Sequence, residues 1–207
     1  MTEYSDLNDN VRNYTETDTN VLSDAIVLPF IESIEDLILR TVDLTYYRKY
    51  DYAVLTIGNP FLPLPSDWQN SRYVQIYDAA SVTPDRTYLL QKDISFMNEY
   101  WPDRTATGTP KFYAMWDDNT HYIAPTPDAA LTCELAYTYK PDGLSSTQTS
   151  TWLSQNAPNV LLYGCILQAL GYLKGPADMI QYYDKMFNES VQALATYEMG
   201  RDRRDEF

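Results

Sequence analysis

The sequence predicts an α+β fold: a helical bundle built from N- and C-terminal helices, with an inserted antiparallel β-domain. Three observations predict it. Apolar residues recur at helical spacing over residues 21–42 and again over 158–199. Between these stretches, short aromatic and β-branched runs alternate with polar residues and are cut by proline and turn clusters. Helix signals at both ends and strand signals in the middle imply segregated layers. The expected boundaries are 1–42 and 151–200 for the bundle, 43–150 for the β-domain and 201–207 for a C-terminal tail.

The elements follow in chain order. Leu7, Val11 and Tyr14 share one face of a short amphipathic helix. Leu22, Ile26, Phe30, Ile34, Leu37, Ile38 and Thr41 give the stripe of a longer helix, in which Pro29 predicts a kink, or a break with the main helix starting at the proline. Glu32, Glu35 and Asp36 lie early in that helix and Arg40 at its end, as the macrodipole favours. Residues 43–56 are strand-like, and the prolines at 60, 63 and 65 force an extended segment that is neither helix nor central strand. Residues 72–78 and 87–92 read as strands, and Asp93 caps a short helix over 94–100. Residues 108–145 read as a three-stranded meander. Its first hairpin turns at Asp117-Asp118-Asn119, and its last strand, from Leu131 to Tyr139, alternates as if one face were buried. After a Ser/Thr-rich loop, residues 158–174 are apolar on nearly every side, which predicts the central buried helix, closed by Gly175-Pro176. Ile180, Tyr183, Phe187, Val191 and Leu194 stripe a final helix that Gly200 ends.

The 207 residues suffice for one domain with an insertion, or two small domains, without staples. A net charge of −14 is the reverse of a nucleic-acid-binding footprint and keeps a surface soluble. Nineteen tyrosines suit large interfaces and β-surfaces. Cys133 and Cys165 are too few for a disulfide framework and sit in apolar surroundings, so both are expected as buried free thiols. The N-terminus has neither a basic nor an apolar leader region, and no apolar run is long enough to span a bilayer. A soluble protein made in a reducing cytoplasm is expected, with no membrane partner.

No chemistry-bearing constellation emerges. The single histidine, His121, has no sequence-marked nucleophile or carboxylate to complete a triad and is expected on a strand surface. Two distant cysteines and one histidine do not make a zinc site. Asp117-Asp118-Asn119 lacks the further ligands of a calcium loop, and no glycine-rich phosphate loop occurs. No enzyme activity and no cofactor are expected. With 29 acidic residues, carboxylate pairs arise by chance, so a two-carboxylate hydrolase ranks last. A β-rich module binding carbohydrate or peptide through its tyrosines is the alternative to a structural role.

The order of several segments resembles the head-to-tail adaptors of short-tailed bacteriophages, the tail tubular protein A or tail-accessory type. The residues that carry this are Leu28-Pro29-Phe30-Ile31-Glu32-Ser33-Ile34-Glu35-Asp36, Leu62-Pro63-Leu64-Pro65-Ser66-Asp67, Thr109-Pro110-Lys111-Phe112-Tyr113, Ile123-Ala124-Pro125-Thr126-Pro127-Asp128, Leu135-Ala136-Tyr137-Thr138-Tyr139, and Leu144-Ser145 with Trp152-Leu153 and residues 157–164. The likeness spans residues 22–198. It departs where the family carries an arginine-rich end to the first long helix, since only Arg40 and Arg48 stand here. The resemblance implies a structural virion protein at the head–tail junction, assembled in the host cytoplasm. It implies a self-assembled ring, typically of twelve copies, joining the portal protein to the tail nozzle protein and lining a channel through which DNA passes without specific binding. It further implies that Arg201, Arg203, Arg204 and Phe207 of the C-terminal tail dock on the portal. Asp117, Asp118, Asn119 and His121 would then face the tail from a loop tip.

Overall fold

The computed structural model of the chain describes residues 3–202. It is a mixed α+β structure with six α-helices among these residues and a large, curled, mostly antiparallel sheet. The helices are α1 (Tyr4–Tyr14), α2 (Asp24–Thr41), α3 (Ile94–Tyr100), α4 (Trp152–Asn156), α5 (Pro158–Tyr172) and α6 (Ala177–Asp202). The strands are β1 (Arg48–Val54), β2 (Phe61–Pro63), β3 (Trp68–Tyr77), β4 (Thr87–Gln91), β5 (Thr107–Gly108), β6 (Phe112–Asp117), β7 (Thr120–Ala124), β8 (Thr126–Pro127) and β9 (Thr132–Tyr139). The chain divides into a unit of Met1–Thr45 with Asp142–Phe207, and a unit of Tyr46–Pro141.

In the first unit α5 is the hub, in contact with α1, α2, α4 and α6. That follows from a helix apolar on nearly every side, which is stable only when other helices cover it. Gly164 lets α2 approach closely: a Cβ there would meet Ile34 Cγ2 at 2.8 Å. Helix α2 buries Val27, Ile31, Ile34, Glu35 and Ile38, while Leu37 is exposed. The packed stripe is therefore turned by about one residue from the Ile26–Phe30–Leu37 line that apolarity alone suggests. Nor does Pro29 break the helix, which continues from Asp24 to Thr41. The proline sits near the N-terminal end, where only the Ala25 carbonyl loses its intrahelical donor.

The end of α5 also differs from expectation. Lys174, with φ +55°, takes the left-handed position, not Gly175. The Gly175 amide donates to the Leu170 carbonyl (2.8 Å) and the Lys174 amide to the Gly171 carbonyl (3.3 Å), a Schellman cap. Gly175 serves close approach instead, since its Cβ would lie 3.0 Å from Leu170 Cδ2. Helix α6 buries Tyr183, Phe187 and Leu194 along the expected stripe. It runs through Gly200 rather than ending there. A single glycine weakens a helix by about 1 kcal/mol without terminating it.

In the second unit the main sheet has the order β1-β9-β3-β4-β6-β7-β2. The hairpin β6–β7 forms as expected, but β9 does not join it as a third meander strand. It lies between β1 and β3, with Tyr50 opposite Ala136 and Tyr73 opposite the same residue on the other side. The prolines at 125 and 127, the first after a cis peptide, end β7, and Thr126–Pro127 pairs with β5 instead. The β4–β6 and β5–β8 pairs are parallel, so the expected purely antiparallel domain is corrected to an antiparallel-rich one. Strand β2 is an edge strand, consistent with Pro63 at its end. Asp93 caps α3 as expected, its side chain accepting from the Phe96 amide at 2.8 Å.

Two apolar clusters cover the sheet. One joins Val74, Ile76, Leu89, Tyr113, Ile123, Cys133, Leu135 and Tyr137; the other joins Met97, Ala114, Tyr122 and Ala124. Strand β7 contributes to both and is buried on both faces. Strand β9 is also buried on both faces, from Cys133 to Thr138, not on one face. Its second face carries Glu134, Ala136 and Thr138, overlaid by long side chains from the neighbouring strands.

Candidate functional site

That second face of β9 carries a connected polar and aromatic surface. Strand pairing sets its rows. Tyr52 stands opposite Glu134, Glu134 opposite Gln75, and Gln75 opposite Tyr88, so one line of side chains crosses four strands. Period-2 alternation then sends Arg48, Tyr50 and Val54 of β1, and Tyr73 and Tyr77 of β3, to the same side. Tyr50 and Tyr73 meet at 6.3 Å between ring centroids, and Tyr73 and Tyr88 edge-on at 5.4 Å.

Glu134 anchors this face from below. Its Oε1 accepts from the Gln75 amide (2.6 Å) and the Tyr73 hydroxyl (3.0 Å), and its Oε2 from Arg86 (2.8 Å). Burial raises its pKa, but the donors from Arg86, Tyr73 and Gln75 outweigh burial and hold the carboxyl below the usual range. The Tyr73 hydroxyl is pushed up by burial and by the Glu134 charge. Arg86 also stacks on Tyr77 at 4.4 Å. Tyr50, Tyr52 and Tyr88, at 61%, 57% and 59% exposure, stand out from this base. The sequence marks tyrosines as suited to interfaces and β-surfaces without saying which of them share a face. The available signal was the Tyr50-x-Tyr52-x-Val54 alternation, which places three large side chains on one face.

The hairpin turn expected to face the tail is exposed at Asp117, Asp118 and Asn119. The Asp117 side chain accepts from the Asn119 amide at 2.8 Å, the local bond expected of an Asx turn. His121 corrects the expectation of a surface residue at a loop tip: it is 1% exposed. β7 is covered on both faces, and His121 packs against Tyr113 and Trp68 at 5.1 and 5.7 Å between ring centroids. Trp68 Nε1 donates to Ser71 Oγ at 3.0 Å, and Ser71 Oγ lies 2.7 Å from His121 Nε2. Burial lowers the imidazole pKa to about 4, so it is neutral at pH 7. Nδ1 has no hydrogen-bond partner among the described residues, so no carboxylate orients the ring. The serine–histidine contact is a cross-strand tie inside the core.

Of the residues expected to dock on a portal, Arg203, Arg204 and Phe207 lie outside the described residues. Arg201 is on the last turn of α6, paired with Glu198 at 3.0 Å and near the Tyr197 ring at 5.9 Å. Glu198 is buried, and its other oxygen accepts from the Thr45 amide (3.0 Å) and hydroxyl (2.8 Å). Glu35, read in the sequence only as complementing the dipole of its helix, is buried as well. It accepts from the Leu144 amide at 2.9 Å and the Thr151 hydroxyl at 3.2 Å, pinning the Ser/Thr-rich loop to α2.

Cys133 and Cys165 are free and buried, as expected. Burial pushes the Cys133 thiol up to about 12 and the Cys165 thiol up as well, which removes thiolate character at neutral pH. Among the described residues no cluster of three or more His, Cys, Asp or Glu is placed to hold a metal ion. No helix among them is long and apolar enough to cross a membrane.

The family model described as SU10 adaptor protein matches residues 2–206 of this chain. No curated protein matches it. The family match indicates an adaptor-type protein of phage head–tail assemblies and a structural virion component.

Proposed function

We propose, from the premise that this chain belongs to the SU10 adaptor protein family, that it is a head-to-tail adaptor joining a portal protein to a tail nozzle protein. The observation that carries this reading is the extent of the family match, which takes in both units. In it, copies of the chain form a ring, typically of twelve, and DNA passes through the centre without specific binding. The resemblance to short-tailed phage adaptors over residues 22–198 supports a ring at the head–tail junction of a virion of that type.

The charge of the chain supports the passage of DNA. Acidic side chains lining a channel repel phosphate over roughly a Debye length, ~8 Å at physiological salt, and leave the duplex mobile. The chain has 29 acidic residues against 15 basic ones. The mixed-charge segment from Arg201 to Phe207 is the portal-docking arm of this reading, and the exposed Asp117–Asn119 turn faces the tail.

Electron microscopy of the full chain mixed with the portal protein of the same phage tests the reading. A ring of density added to one end of the portal is expected, and its loss on deleting residues 201–207 assigns the arm. A chain that never associates with that portal removes the head-to-tail role.

A further inference from the structure

Helix α1 is joined to the rest of the helical unit by a connector, residues 15–21, that carries neither helix nor strand and is mostly exposed. Every group that holds α1 in place lies beyond that connector. Tyr4, Leu7, Asn8, Val11 and Arg12 form its buried side, and the helix packs on α5. The Tyr4 amide donates to the Thr149 carbonyl at 3.0 Å. Arg12 donates from Nε to the Leu22 carbonyl at 2.8 Å and pairs with Asp24 at the start of α2. None of these bonds depends on which copy of the chain supplies α1.

Two features loosen the arrangement. Asn8 is 1% exposed, and neither its side-chain oxygen nor its side-chain nitrogen has a hydrogen-bond partner among the described residues. A buried polar group without a partner opposes the contact that buries it. In the connector, Glu16 has φ +53°, a left-handed conformation that L side chains rarely adopt. The two act differently. Asn8 weakens the seat of α1 wherever that seat is, whereas the strain at Glu16 belongs to the folded-back connector and is relieved when the connector straightens. The seven residues from Thr15 to Val21 span ~23 Å when extended, about two helix diameters. That length carries α1 to a helical unit lying alongside.

We infer that α1 is an exchangeable arm: in the assembly, α1 of one copy seats on α5 of the next copy, in place of that copy's own α1. This rests on the reading that the protein forms a ring, and it names a contact that ties neighbours together. The seat is the same in both states, so the burial of Leu7 and Val11 and the bonds of Arg12 are kept. What differs is the connector, and a strained hinge favours the exchanged form. Passed in one direction round a closed ring, the exchange has each copy give one arm and receive one, so every seat is filled. A helix of an unrelated protein is the less favoured occupant, because the seat already matches α1 down to the Arg12–Asp24 pair.

Isotope mixing with photo-cross-linking reads the exchange. Tyr14, at the end of α1, is exposed and lies near Tyr183 of α6: burial raises the Tyr183 hydroxyl pKa, and the Tyr14 hydroxyl adds to the rise. The full chain carrying Tyr14→p-benzoyl-phenylalanine is made in light and nitrogen-15 forms. The two are mixed in equal amounts, unfolded and refolded together so that slow opening does not hide the exchange, and irradiated alone and with the portal protein. Cross-linked α1–α6 peptides are then weighed by mass spectrometry. Same-isotope pairs are expected from the isolated chain, and about half light–heavy pairs from the portal-bound ring, the statistical share when every arm sits in a neighbour. Glu16→Gly should lower the light–heavy share about twofold by removing the hinge strain. Asn8→Leu should leave that share unchanged, because the seat is common to both states, yet slow its appearance about tenfold when folded forms are mixed. Same-isotope pairs alone in the portal sample overturn the inference, and so do cross-links from α1 to the portal. A ring seen by electron microscopy in that same sample keeps the adaptor reading standing when the exchange fails, whereas a chain that never joins the portal removes both.

Discussion

Each unit contains a buried carboxylate, and the two are held in different ways. Glu35 in the helical unit accepts from a backbone amide 109 residues away and from the Thr151 hydroxyl, both buried. Glu134 in the β unit accepts from three side chains on the sheet, one of them the part-exposed Arg86. The first ties a loop to a helix and leaves buried donors behind if it is removed. The second lies at the base of an aromatic surface, where water and other side chains can replace a lost partner. The comparison teaches that the helical unit uses its buried charge to close its own fold, whereas the β unit uses it to shape a face.

The largest effect that tests this contrast is removal of Glu35. Glu35→Ala orphans the Leu144 amide and the Thr151 hydroxyl inside the core and is expected to cost about 3–5 kcal/mol in denaturant unfolding. Glu35→Gln keeps an acceptor for the Leu144 amide and should recover more than half of that loss. If Glu35→Ala costs under 1 kcal/mol, the loop is held by Leu144 burial alone and the contrast with Glu134 disappears.

Acid should weaken the β unit through two of its groups. The unfolded chain protonates His121 near 6.5, whereas the folded chain does so only near 4, so between these values the unfolded state binds more protons. The stability contributed by neutral His121 is complete above pH 6.5 and is lost as pH falls towards 4. Glu134 acts in the same direction at lower pH: its folded pKa lies below the ordinary 4.5, so its contribution is lost as pH falls below that value. His121→Gln is expected to flatten the stability–pH curve between 6.5 and 4 by about 1–3 kcal/mol. A slope unchanged by the substitution places the responsible proton elsewhere.

The smallest expected effect is a gain in the helical unit. Lys174→Gly relieves a side chain at φ +55° in the cap of α5 and should stabilise by about 0.5–1 kcal/mol, read as a raised midpoint with unchanged slope. A loss instead means that the Lys174 side chain makes a contact that outweighs its backbone strain.

What was legible in the sequence was local. Asp93 and the residues after it carry both the cap and the apolar spacing of α3, and the element appears over Ile94–Tyr100 as read. The apolar run from Pro158 marks the hub helix because nothing but other helices can cover it. The stripe of α2 was less legible: Leu37 and Val27 are equally apolar, and which of them turns inward depends on where α5 presents Gly164. The site was least legible. His121 reads as a strand residue beside a turn, and only the packing of Trp68 and Tyr113, distant in sequence, buries it. The tyrosine face needs the strand order, because Tyr52, Glu134, Gln75 and Tyr88 become neighbours only once β9 lies between β1 and β3.

By itself the sequence determined most of the element types, the Asp93 cap and the Asp117–Asn119 turn, the acidic charge and the segment order that resembles an adaptor, since each depends on residues near one another along the chain or on composition. Only the tertiary structure decided the place of β9, the burial of Glu35, Glu198 and His121, and the assembly of the tyrosine face. Strand pairing and helix rotation are choices among contacts far apart in sequence. The alternation of one strand says which residues share a side and nothing about what will cover them.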